Sequence, residues 1–271
     1  MITITKKEFD QLSTYIKTNY GIYLKPEKET LVIGRLQNEL LQKGFKNFTE
    51  YYDYVVKDTT GAAVSTLLDK ITTNHTFFMR EADHFAYFKE VVLPYLSAAV
   101  TDRDLRIWCA GCSSGEEPYT LAMILDEYFG RDKIYWDTKI LATDISNKVL
   151  EEAKRGVYRN KELETLPAKW RSNYTIKQDS ENSVFTEKLR NEVIFGKFNL
   201  MEPVFPFRKK FHTIFCRNVM IYFDEKTKNE LVNKYYDFME PGGYLFIGHS
   251  ESLNREATRF RYVQPAIYRK M

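Results

Sequence analysis

The fold of this chain is decided by the stretch Leu105-Arg106-Ile107-Trp108-Cys109-Ala110-Gly111-Cys112-Ser113-Ser114-Gly115-Glu116-Glu117-Pro118-Tyr119. Its apolar beginning, Leu105–Cys109, predicts a short buried strand. The small residues from 110 to 115 predict a loop whose backbone can approach a ligand closely. Glu116 then opens a helix that runs to about Phe129 and ends at Gly130. The unpaired N–H groups at the start of such a helix face the same loop, which is therefore a candidate binding turn.

A second predicted strand, Lys139–Thr143, ends in Asp144, and a helix follows from about Lys148. An acid in this position accepts hydrogen bonds from ribose hydroxyls in dinucleotide-binding folds. The loop has neither the G-x-G-x-x-G nor the G-x-x-x-x-G-K-[ST] pattern, which argues against nicotinamide and phosphate-cradling sites. Glu116 and Glu117 would repel a pyrophosphate and attract a cation. S-adenosylmethionine, which has a ribose and a positive group but no phosphate, fits these features best.

Strands and helices continue to alternate towards the C-terminus. Further strands are predicted at Val193–Phe198, His212–Cys216, Tyr244–Gly248 and Phe260–Tyr268. Pro265 interrupts the last of these, so we expect it at a sheet edge or bulge. The alternation predicts an α/β fold with a mainly parallel sheet covered on both faces. The polar segment Trp170–Arg190 does not fit this pattern, and we interpret it as an insertion.

The first third of the chain is predicted to consist of short helices. Thr5 and Glu8 form a capping-box pattern ahead of apolar residues at helical spacing. Helices are then predicted over Pro26–Lys43, Asn47–Lys57, Ala62–Ile71 and Ala82–Ala99. The polar residues from 101 to 104 separate this helical part from the alternating part.

Composition excludes several classes of protein. The 271 residues contain 40 basic and 37 acidic side chains, so the net charge of +3 leaves no chain-wide polybasic surface for nucleic acid. No apolar run approaches the ~18 residues of a membrane span, and the N-terminus lacks a signal-peptide core. Three cysteines argue against a disulfide scaffold and for a reducing compartment. We therefore expect a cytoplasmic protein that is not inserted in a membrane.

Two weaker patterns are interpreted as structural. Cys109-Ala110-Gly111-Cys112 is a single C-x-x-C without a second ligand pair, and the four histidines are scattered, so no metal site is expected. The run His249-Ser250-Glu251 contains the residue types of a hydrolase triad. Neighbours on a strand point to opposite faces, however, so these three side chains cannot line up as such a triad requires.

Five blocks of sequence resemble the CheR family, the chemotaxis-receptor glutamate methyltransferases. They are Ile71–Glu81 (family pattern T-T-N-x-T-x-F-F-R-E), Cys109–Tyr119 (S-T-G-E-E-P-Y), Ala142–Ile145 (A-[ST]-D-I), Phe215–Phe223 (F-C-R-N-V-M-I-Y-F) and Gly248–Glu251 (G-H-S-E). The blocks occur in the order of the family. One departure is Met79, which replaces an aromatic residue, and this apolar exchange is expected to change packing rather than chemistry.

The resemblance implies a class I S-adenosylmethionine-dependent methyltransferase fold. This is a Rossmann-like α/β fold with a mainly parallel sheet and an antiparallel C-terminal strand. It implies an all-α N-terminal domain over residues 1–75 and a methyltransferase domain over residues 76–271. A small β-subdomain is expected as an insertion at about residues 165–192. S-adenosylmethionine would be the cofactor and S-adenosylhomocysteine the product.

The resemblance also implies which residues form the site. Asn74, Thr76 and Arg80 would approach the cofactor from the interdomain segment. Glu117 would hold the amino-acid part and Asp144 the ribose, Asn199 and Leu200 would flank the adenine, and Arg217 and Asn218 would close the site. Arg80 and Tyr222 are the candidate catalytic residues, with positioning as their expected role. Of these residues, only Glu117 and Asp144 are also favoured by the helix-dipole and ribose arguments above.

The implied substrate is the helical cytoplasmic region of methyl-accepting chemoreceptors, and we expect a monomer that binds no nucleic acid. A glutamate carboxylate has a pKa of about 4.3, so it is already ionised at pH 7 and needs no general base. Two alternatives are a nucleic-acid methyltransferase on the same fold and a binding module without turnover. The first would carry an Asn/Asp-Pro-Pro-aromatic run, which does not occur in the sequence.

Two expectations concern how the receptor is recognised. Lys28, Arg35 and Lys43 on the helix Pro26–Lys43 would meet an acidic methylation region. Some family members dock a glycine-rich turn of the β-subdomain onto a peptide at the receptor C-terminus. The matching stretch here, Tyr174–Phe185, contains no glycine, so positive-φ positions would be costly. We therefore expect this enzyme to work without that tether.

Overall fold

The computed structural model describes residues 2–271 and begins with a helical unit. Its helices are α1 (Lys6–Tyr20), α2 (Glu29–Lys43), α3 (Phe48–Lys57) and α4 (Ala62–Ile71), with a 3-10 turn at Pro26–Lys28. The predicted capping box is present, since Thr5 Oγ1 accepts from the Glu8 amide and Glu8 accepts from the Thr5 amide. The buried faces of the four helices form a core of their own around Leu36 and Leu67.

A second group of helices leads into the sheet. They are α5 (Ala82–Tyr87), a π-helical segment (Phe88–Val92) and α6 (Leu93–Ala99), so the predicted helix Ala82–Ala99 is one continuous run with a π-helical middle.

The main sheet and its helices follow in alternation. The elements are β1 (Ile107–Ala110), α7 (Glu116–Phe129), a 3-10 helix (Gly130–Tyr135), β2 (Ile140–Asp144), α8 (Asn147–Arg155), β3 (Val157–Arg159), α9 (Asn160–Leu163), α10 (Ala168–Tyr174), β4 (Thr175–Lys177), β5 (Asn182–Phe185), α11 (Glu187–Arg190), β6 (Val193–Lys197), β7 (Phe211–Cys216), a 3-10 turn (Met220–Tyr222), α12 (Glu225–Asp237), β8 (Met239–Ile247), β9 (Arg261–Gln264) and β10 (Ile267–Arg269).

Seven strands form the main sheet in the order β6-β2-β1-β7-β8-β10-β9. The first five are mutually parallel. Strand β10 runs antiparallel to β8, and β9 runs antiparallel to β10. This is the Rossmann-like arrangement of a class I methyltransferase, so the expected fold class is confirmed. The strand order reverses at β1, and ligands of such sheets bind beside the carboxyl ends of strands at this point.

The C-terminal strand differs from its prediction. Phe260–Tyr268 is not one interrupted strand, because β9 and β10 pair with each other as a hairpin. Ala266, directly after Pro265, has a φ of 60°, and this left-handed residue reverses the chain. β9 lies at the edge of the sheet, as the proline indicated.

A separate three-stranded antiparallel sheet forms the insertion, in the order β3-β5-β4. Its first strand, Val157–Arg159, precedes the expected start of the subdomain near residue 165, because β3 pairs with β5, the central strand of this sheet. Phe185 of β5 packs edge-on against Phe78, with ring centroids 5.6 Å apart, so the insertion contacts the interdomain segment.

The helical unit docks against the carboxyl-end side of the main sheet. Ile22 and Phe223 form an isolated antiparallel bridge, and the Tyr23 amide donates to the Tyr222 carbonyl at 2.7 Å. Lys17 forms an ion pair with Asp224 at 2.6 Å. These contacts place the helical unit over the edge of the sheet where ligands of this fold bind. Within residues 2–271, no helix combines the length and apolar character needed to span a membrane.

Candidate active site

A cavity of about 280 Å³ lies where the two units meet. It is enclosed by the binding turn after β1, the ends of β2 and β7, the segment after β6, and the interdomain segment after α4. All ten residues expected at the site line it, namely Asn74, Thr76, Arg80, Glu117, Asp144, Asn199, Leu200, Arg217, Asn218 and Tyr222. The fold therefore brings together in one cavity residues that lie up to 148 positions apart (74 to 222).

The turn after β1 is shaped by backbone hydrogen bonds. The amides of Gly111 and Cys112 both donate to the Thr143 carbonyl, at 2.8 and 2.9 Å. Gly111 has a φ of 101°, and a Cβ there would lie 2.3 Å from Val219 Cγ2. Only glycine combines this conformation with this close approach. The turn therefore presents its backbone directly to the cavity.

Asp144 at the end of β2 holds the same turn from below. Its Oδ2 accepts from the Ser113 amide at 2.9 Å and its Oδ1 from the Ser146 amide at 3.0 Å. Burial raises the pKa of Asp144, although these backbone donors oppose the shift. Each carboxylate oxygen has a second lone pair, so the group remains able to accept hydrogen bonds from a diol in the cavity.

Arg217, at the end of β7, is the centre of the charge network. Its side chain is 3% exposed and donates to Glu117 Oε2 at 3.0 Å and to Glu81 Oε2 at 3.0 Å. It also donates to the Arg80 carbonyl and lies over the Phe85 ring at 5.1 Å. The guanidinium thus links the binding turn, the interdomain segment and the sheet.

The two carboxylates that contact this guanidinium have pKa values shifted in opposite directions. Burial raises the pKa of Glu117 above its ordinary value, and the charge of Arg217 only partly opposes the shift. Burial also acts on Glu81, but Arg217 and the His249 amide outweigh it and hold the pKa of Glu81 below its ordinary value. Glu81 therefore carries the firmer negative charge next to Arg217.

A buried carboxylate holds the turn that follows β7. Glu251, which is 7% exposed, accepts from the amides of Asn218 (3.0 Å) and Ile221 (3.1 Å). Asn218 has a φ of 60°, and its side chain donates to Glu81 Oε1 at 3.3 Å. The closing G-H-S-E block thus contributes Glu251 as the residue that shapes this wall of the cavity. This role was not predicted from the sequence, although the acid at the end of that block was its signal.

The interdomain segment from 72 to 81 forms the roof of the cavity. Ser113 Oγ donates to the Asn74 carbonyl at 3.1 Å, and Arg80 Nη1 donates to the His75 carbonyl at 2.8 Å. The Tyr222 hydroxyl bonds to both backbone groups of Thr73, at 3.0 and 3.1 Å. In this structure Tyr222 therefore fixes the roof, while Arg80 keeps its second guanidinium nitrogen available to the cavity.

Arg35 is placed differently from its expected role in receptor contact. Its Nη1 donates to the carbonyls of Ile71 and Thr72, the latter at 3.1 Å, and its Nη2 donates to Thr73 Oγ1 at 2.9 Å. These are the carbonyls left unpaired at the end of α4, where a cation is favourable. Arg35 is thus engaged by the interdomain segment, whereas Lys28 on the same helical stretch remains exposed.

The remaining predicted residues lie on the far wall. Asn199 accepts from the Met201 amide at 3.0 Å and donates to the Asn19 carbonyl at 2.8 Å, which ties this wall to the end of α1. Leu200 offers an apolar surface beside it. Thr76 faces the cavity from the roof.

Only one of the two acids at the start of α7 reaches the cavity. Glu117 lines it, whereas Glu116 points away and is 8% exposed. Among the side chains of residues 2–271, Glu116 accepts a hydrogen bond only from the Ser114 hydroxyl, which lies 2.9 and 3.0 Å from its two carboxylate oxygens. Burial raises the pKa of Glu116 to about 7. The expectation that both acids attract a cationic ligand is therefore wrong for Glu116. Cys109 and Cys112 are buried free thiols that pack beneath the turn, as the sequence suggested.

Comparison with known families assigns the chain. The model of the CheR methyltransferase all-alpha domain matches residues 7–72, and the model of the CheR methyltransferase SAM binding domain matches residues 74–268. The chain belongs to the CheR methyltransferase family. It is thus an S-adenosylmethionine-dependent methyltransferase, in agreement with the fold and with the acids that line the cavity.

Three curated relatives extend over nearly the whole chain. A chemotaxis protein methyltransferase of Borreliella burgdorferi is 45% identical over 272 residues, covering 99% of this chain and 96% of the relative. A probable chemotaxis protein methyltransferase of Rhizobium etli is 36% identical, covering 94% and 99%. A chemotaxis protein methyltransferase of Escherichia coli is 32% identical, covering 98% and 92%.

The buried Glu116 predicts how stability depends on pH. With a folded-state pKa of about 7 against an ordinary 4.5, the folded protein binds more protons than the unfolded chain between these values. The contribution of Glu116 to stability therefore falls as pH rises from about 4.5 to 7, by about 3 kcal/mol. Glu116→Gln removes this titration. We expect the unfolding free energy of the variant, relative to wild type, to increase between pH 5 and pH 7 and then level off.

Chemical denaturation at several pH values measures this difference. Glu164→Gln, at an exposed position, is the matched control and should show no pH-dependent difference. A constant offset between Glu116→Gln and wild type over the whole range would contradict the prediction.

Proposed function

We propose that this protein transfers a methyl group from S-adenosylmethionine to glutamate side chains of chemoreceptors and forms glutamyl methyl esters. The observation that carries this proposal is the near full-length similarity to chemotaxis protein methyltransferases, 45% identical over 99% of the chain in the Borreliella burgdorferi relative. The cavity supports it, because Glu117 and Asp144 provide negative charge and hydrogen-bond acceptors for a cationic, ribose-bearing cofactor. The substrate would be the helical cytoplasmic region of the receptor.

In this proposal the cofactor extends across the cavity between the two units. Asp144 accepts the ribose hydroxyls, and Glu117, steadied by Arg217, receives the amino group of the methionine part. Asn199 and Leu200 flank the adenine with a polar and an apolar surface. Asn74, Thr76 and Arg80 close the cavity from the roof, while Arg217 and Asn218 complete the wall at the end of β7. These roles agree with the placement of the ten side chains around one cavity.

The proposed reaction needs positioning more than proton transfer. A glutamate oxygen attacks the methyl carbon, the bond between sulfur and that carbon breaks, and its electron pair stays on sulfur. The ionised carboxylate and the sulfonium both become neutral, and no proton moves. Holding the two reactants in line and excluding water can supply roughly 7–11 kcal/mol. The roof formed by residues 72–81 is the part of the chain that would exclude water.

Arg80 and Tyr222 act by positioning in this mechanism. Arg80 is anchored through Nη1 to the His75 carbonyl, which leaves Nη2 for a carboxylate of the cofactor or of the incoming glutamate. The Tyr222 hydroxyl keeps the roof in register through Thr73. Neither group is asked to remove a proton, because the attacking carboxylate is ionised at neutral pH.

Receptor recognition is proposed to use the exposed cations of the helical unit. Lys28 is exposed, and Lys43 is only loosely paired with Glu39, at 3.8 Å. Both are available to an acidic receptor helix. Arg35 is left out of this surface, because the interdomain segment engages its guanidinium.

Recognition is further proposed to be independent of a receptor C-terminal tether. The turn between β4 and β5 is built on Asp179, whose Oδ1 accepts from the amides of Glu181 and Asn182, both at 2.7 Å. Its residues have no positive φ, so it differs from the tight backbone of a glycine-rich turn. The outer edge of β4 has no partner strand within the insertion. A receptor peptide that paired with this edge would contradict the proposal.

Removing the proposed ribose partner tests the cofactor site. Asp144→Ala is expected to weaken S-adenosylhomocysteine binding by about 1–3 kcal/mol, as for hydrogen bonds to charged groups. Asp144→Asn, which keeps the shape of the side chain, should lose less. Isothermal titration calorimetry measures both. Unchanged affinity in the alanine variant would remove Asp144 from the cofactor site.

The substrate class is tested with labelled cofactor and two substrates, receptor-rich membranes and RNA. We expect label in receptor protein only, released as methanol by mild alkali as expected for a methyl ester. Arg80→Ala should reduce the rate of transfer at least tenfold with little change in unfolding free energy. Arg131→Ala, at an exposed position, is the control and should retain the wild-type rate. Alkali-stable label, label in RNA, or a wild-type rate in Arg80→Ala would each contradict the corresponding part of the proposal.

The absence of a tether is tested by a fluorescence titration of labelled receptor C-terminal pentapeptides. We expect no saturation up to micromolar peptide concentrations. A dissociation constant of 1 μM would correspond to a binding free energy of about 8 kcal/mol in favour of the complex. Removal of the receptor C-terminus should leave the methylation rate unchanged. Saturable micromolar binding that is abolished by substitutions between Tyr174 and Phe185 would overturn this part of the proposal.

A further inference from the structure

Beside the cofactor cavity, three side chains with metal-binding atoms meet. Glu81 and His84 lie at the start of α5, and His249 lies just after β8, far away in the sequence. One donor atom of each falls within 4.8 Å of the others. We refer to these three residues as the His-Glu cluster. The sequence alone showed only scattered histidines, because the fold creates this juxtaposition.

His84 is the unusual member of the His-Glu cluster. It is fully buried, and neither ring nitrogen has a hydrogen-bond partner within residues 2–271. Its ring packs edge-on against Phe246, with centroids 5.6 Å apart. Buried polar atoms in proteins are nearly always paired, so an imidazole in this state calls for a ligand.

Two of the donors already have the spacing that a metal requires. Nδ1 of His84 lies 3.5 Å from Glu81 Oε2. Two ligands of a tetrahedral zinc ion, each about 2.0–2.2 Å from the metal, are separated by about 3.3 Å. Oε2 of Glu81 accepts from Nε and Nη2 of Arg217, at 3.3 and 3.0 Å. Oε1 accepts from the Asn218 side chain at 3.3 Å and from the His249 amide at 3.2 Å, so each lone-pair position of this carboxylate has a donor. A metal between His84 Nδ1 and Glu81 Oε2 would therefore replace the longer of the two Arg217 contacts with that oxygen, the one from Nε.

His249 is positioned to complete the set. Its ring meets that of His84 at 86°, with centroids 4.6 Å apart, and its side chain is 44% exposed, so it is able to move inward. Asp83 Oδ2 lies 3.1 Å from Nε2 of His249, which leaves Nδ1 as the available ligand atom. A carboxylate on the outer nitrogen of a ligating histidine is the usual support at metal sites.

The surrounding charge also suits a cation. Arg217 pairs with Glu81 and Glu117, and Asp83 lies beside His249, so three carboxylates face one guanidinium here. We propose that the His-Glu cluster binds a divalent transition metal of the zinc type. Two imidazole nitrogens and one carboxylate oxygen are the donors that such ions prefer, with a fourth position open to water. The metal would brace α5 against the turn after β8. This inference does not depend on which substrate the enzyme methylates.

Metal binding to the whole protein tests the proposal. Chelator-treated protein is dialysed against Zn²⁺, and the bound metal is counted by elemental analysis. We expect about one ion per chain and a higher thermal midpoint with Zn²⁺, since the ion would bind the folded state. Co²⁺ in the same site should give the visible absorption of a four-coordinate ion.

His249→Gln is the decisive variant, because this residue is partly exposed and its replacement should not disturb folding. We expect it to lower the affinity for Zn²⁺ at least tenfold and to abolish the Co²⁺ absorption. His75→Gln, at another exposed histidine, is the matched control and should bind as wild type does. His84→Gln should also lose the metal, and the result for His249→Gln stands even if that variant fails to fold. Substoichiometric metal in wild type, or equal affinity in wild type and His249→Gln, would overturn the proposal.

Discussion

At the end of the central strand β7, a guanidinium group that is 3% exposed joins three parts of the chain. Arg217 contacts Glu117 at the start of α7, Glu81 in the interdomain segment, and the carbonyl of Arg80. Removing one partner of such a buried pair leaves an uncompensated charge, which typically costs about 3–5 kcal/mol. The binding turn, the roof and the sheet therefore hold their relative positions through this side chain.

The same network explains why the cavity is suited to a cationic cofactor. Two carboxylates surround Arg217, and Asp144 lies on the other side of the turn, so acidic groups outnumber the buried guanidinium. Arg217 balances part of this charge and keeps Glu117 ionisable in spite of its burial. Backbone amides rather than side chains hold Asp144 and Glu251, so each acid stays fixed without a second buried cation.

Prediction from the sequence was accurate where local patterns decide structure. Helix α1 has the predicted capping box, and α4 has the predicted bounds, Ala62–Ile71. It was less accurate where contacts with residues distant in the sequence determine the local structure. The strand β3 joins the small sheet because β5 pairs with it, and Ala266 turns the last strand into a hairpin. Arg35 was predicted to face the receptor, yet its guanidinium is engaged by the carbonyls of Ile71 and Thr72 and by the Thr73 hydroxyl, 36 to 38 residues further along the chain.

The sequence by itself determined the fold class, because alternating strands and helices form a local pattern. Short motifs that resemble the CheR family also indicated the cofactor and ten of the residues that line the cavity. Only the tertiary structure decided that Glu116 points away from the cavity, which cation holds the interdomain segment, and which histidines meet. Glu116 and Glu117 are adjacent and chemically alike, and the turn of the helix points only Glu117 inward. His84 and His249 are brought together because α5 packs against the end of β8. Such contacts arise from packing between distant segments, which no local pattern encodes.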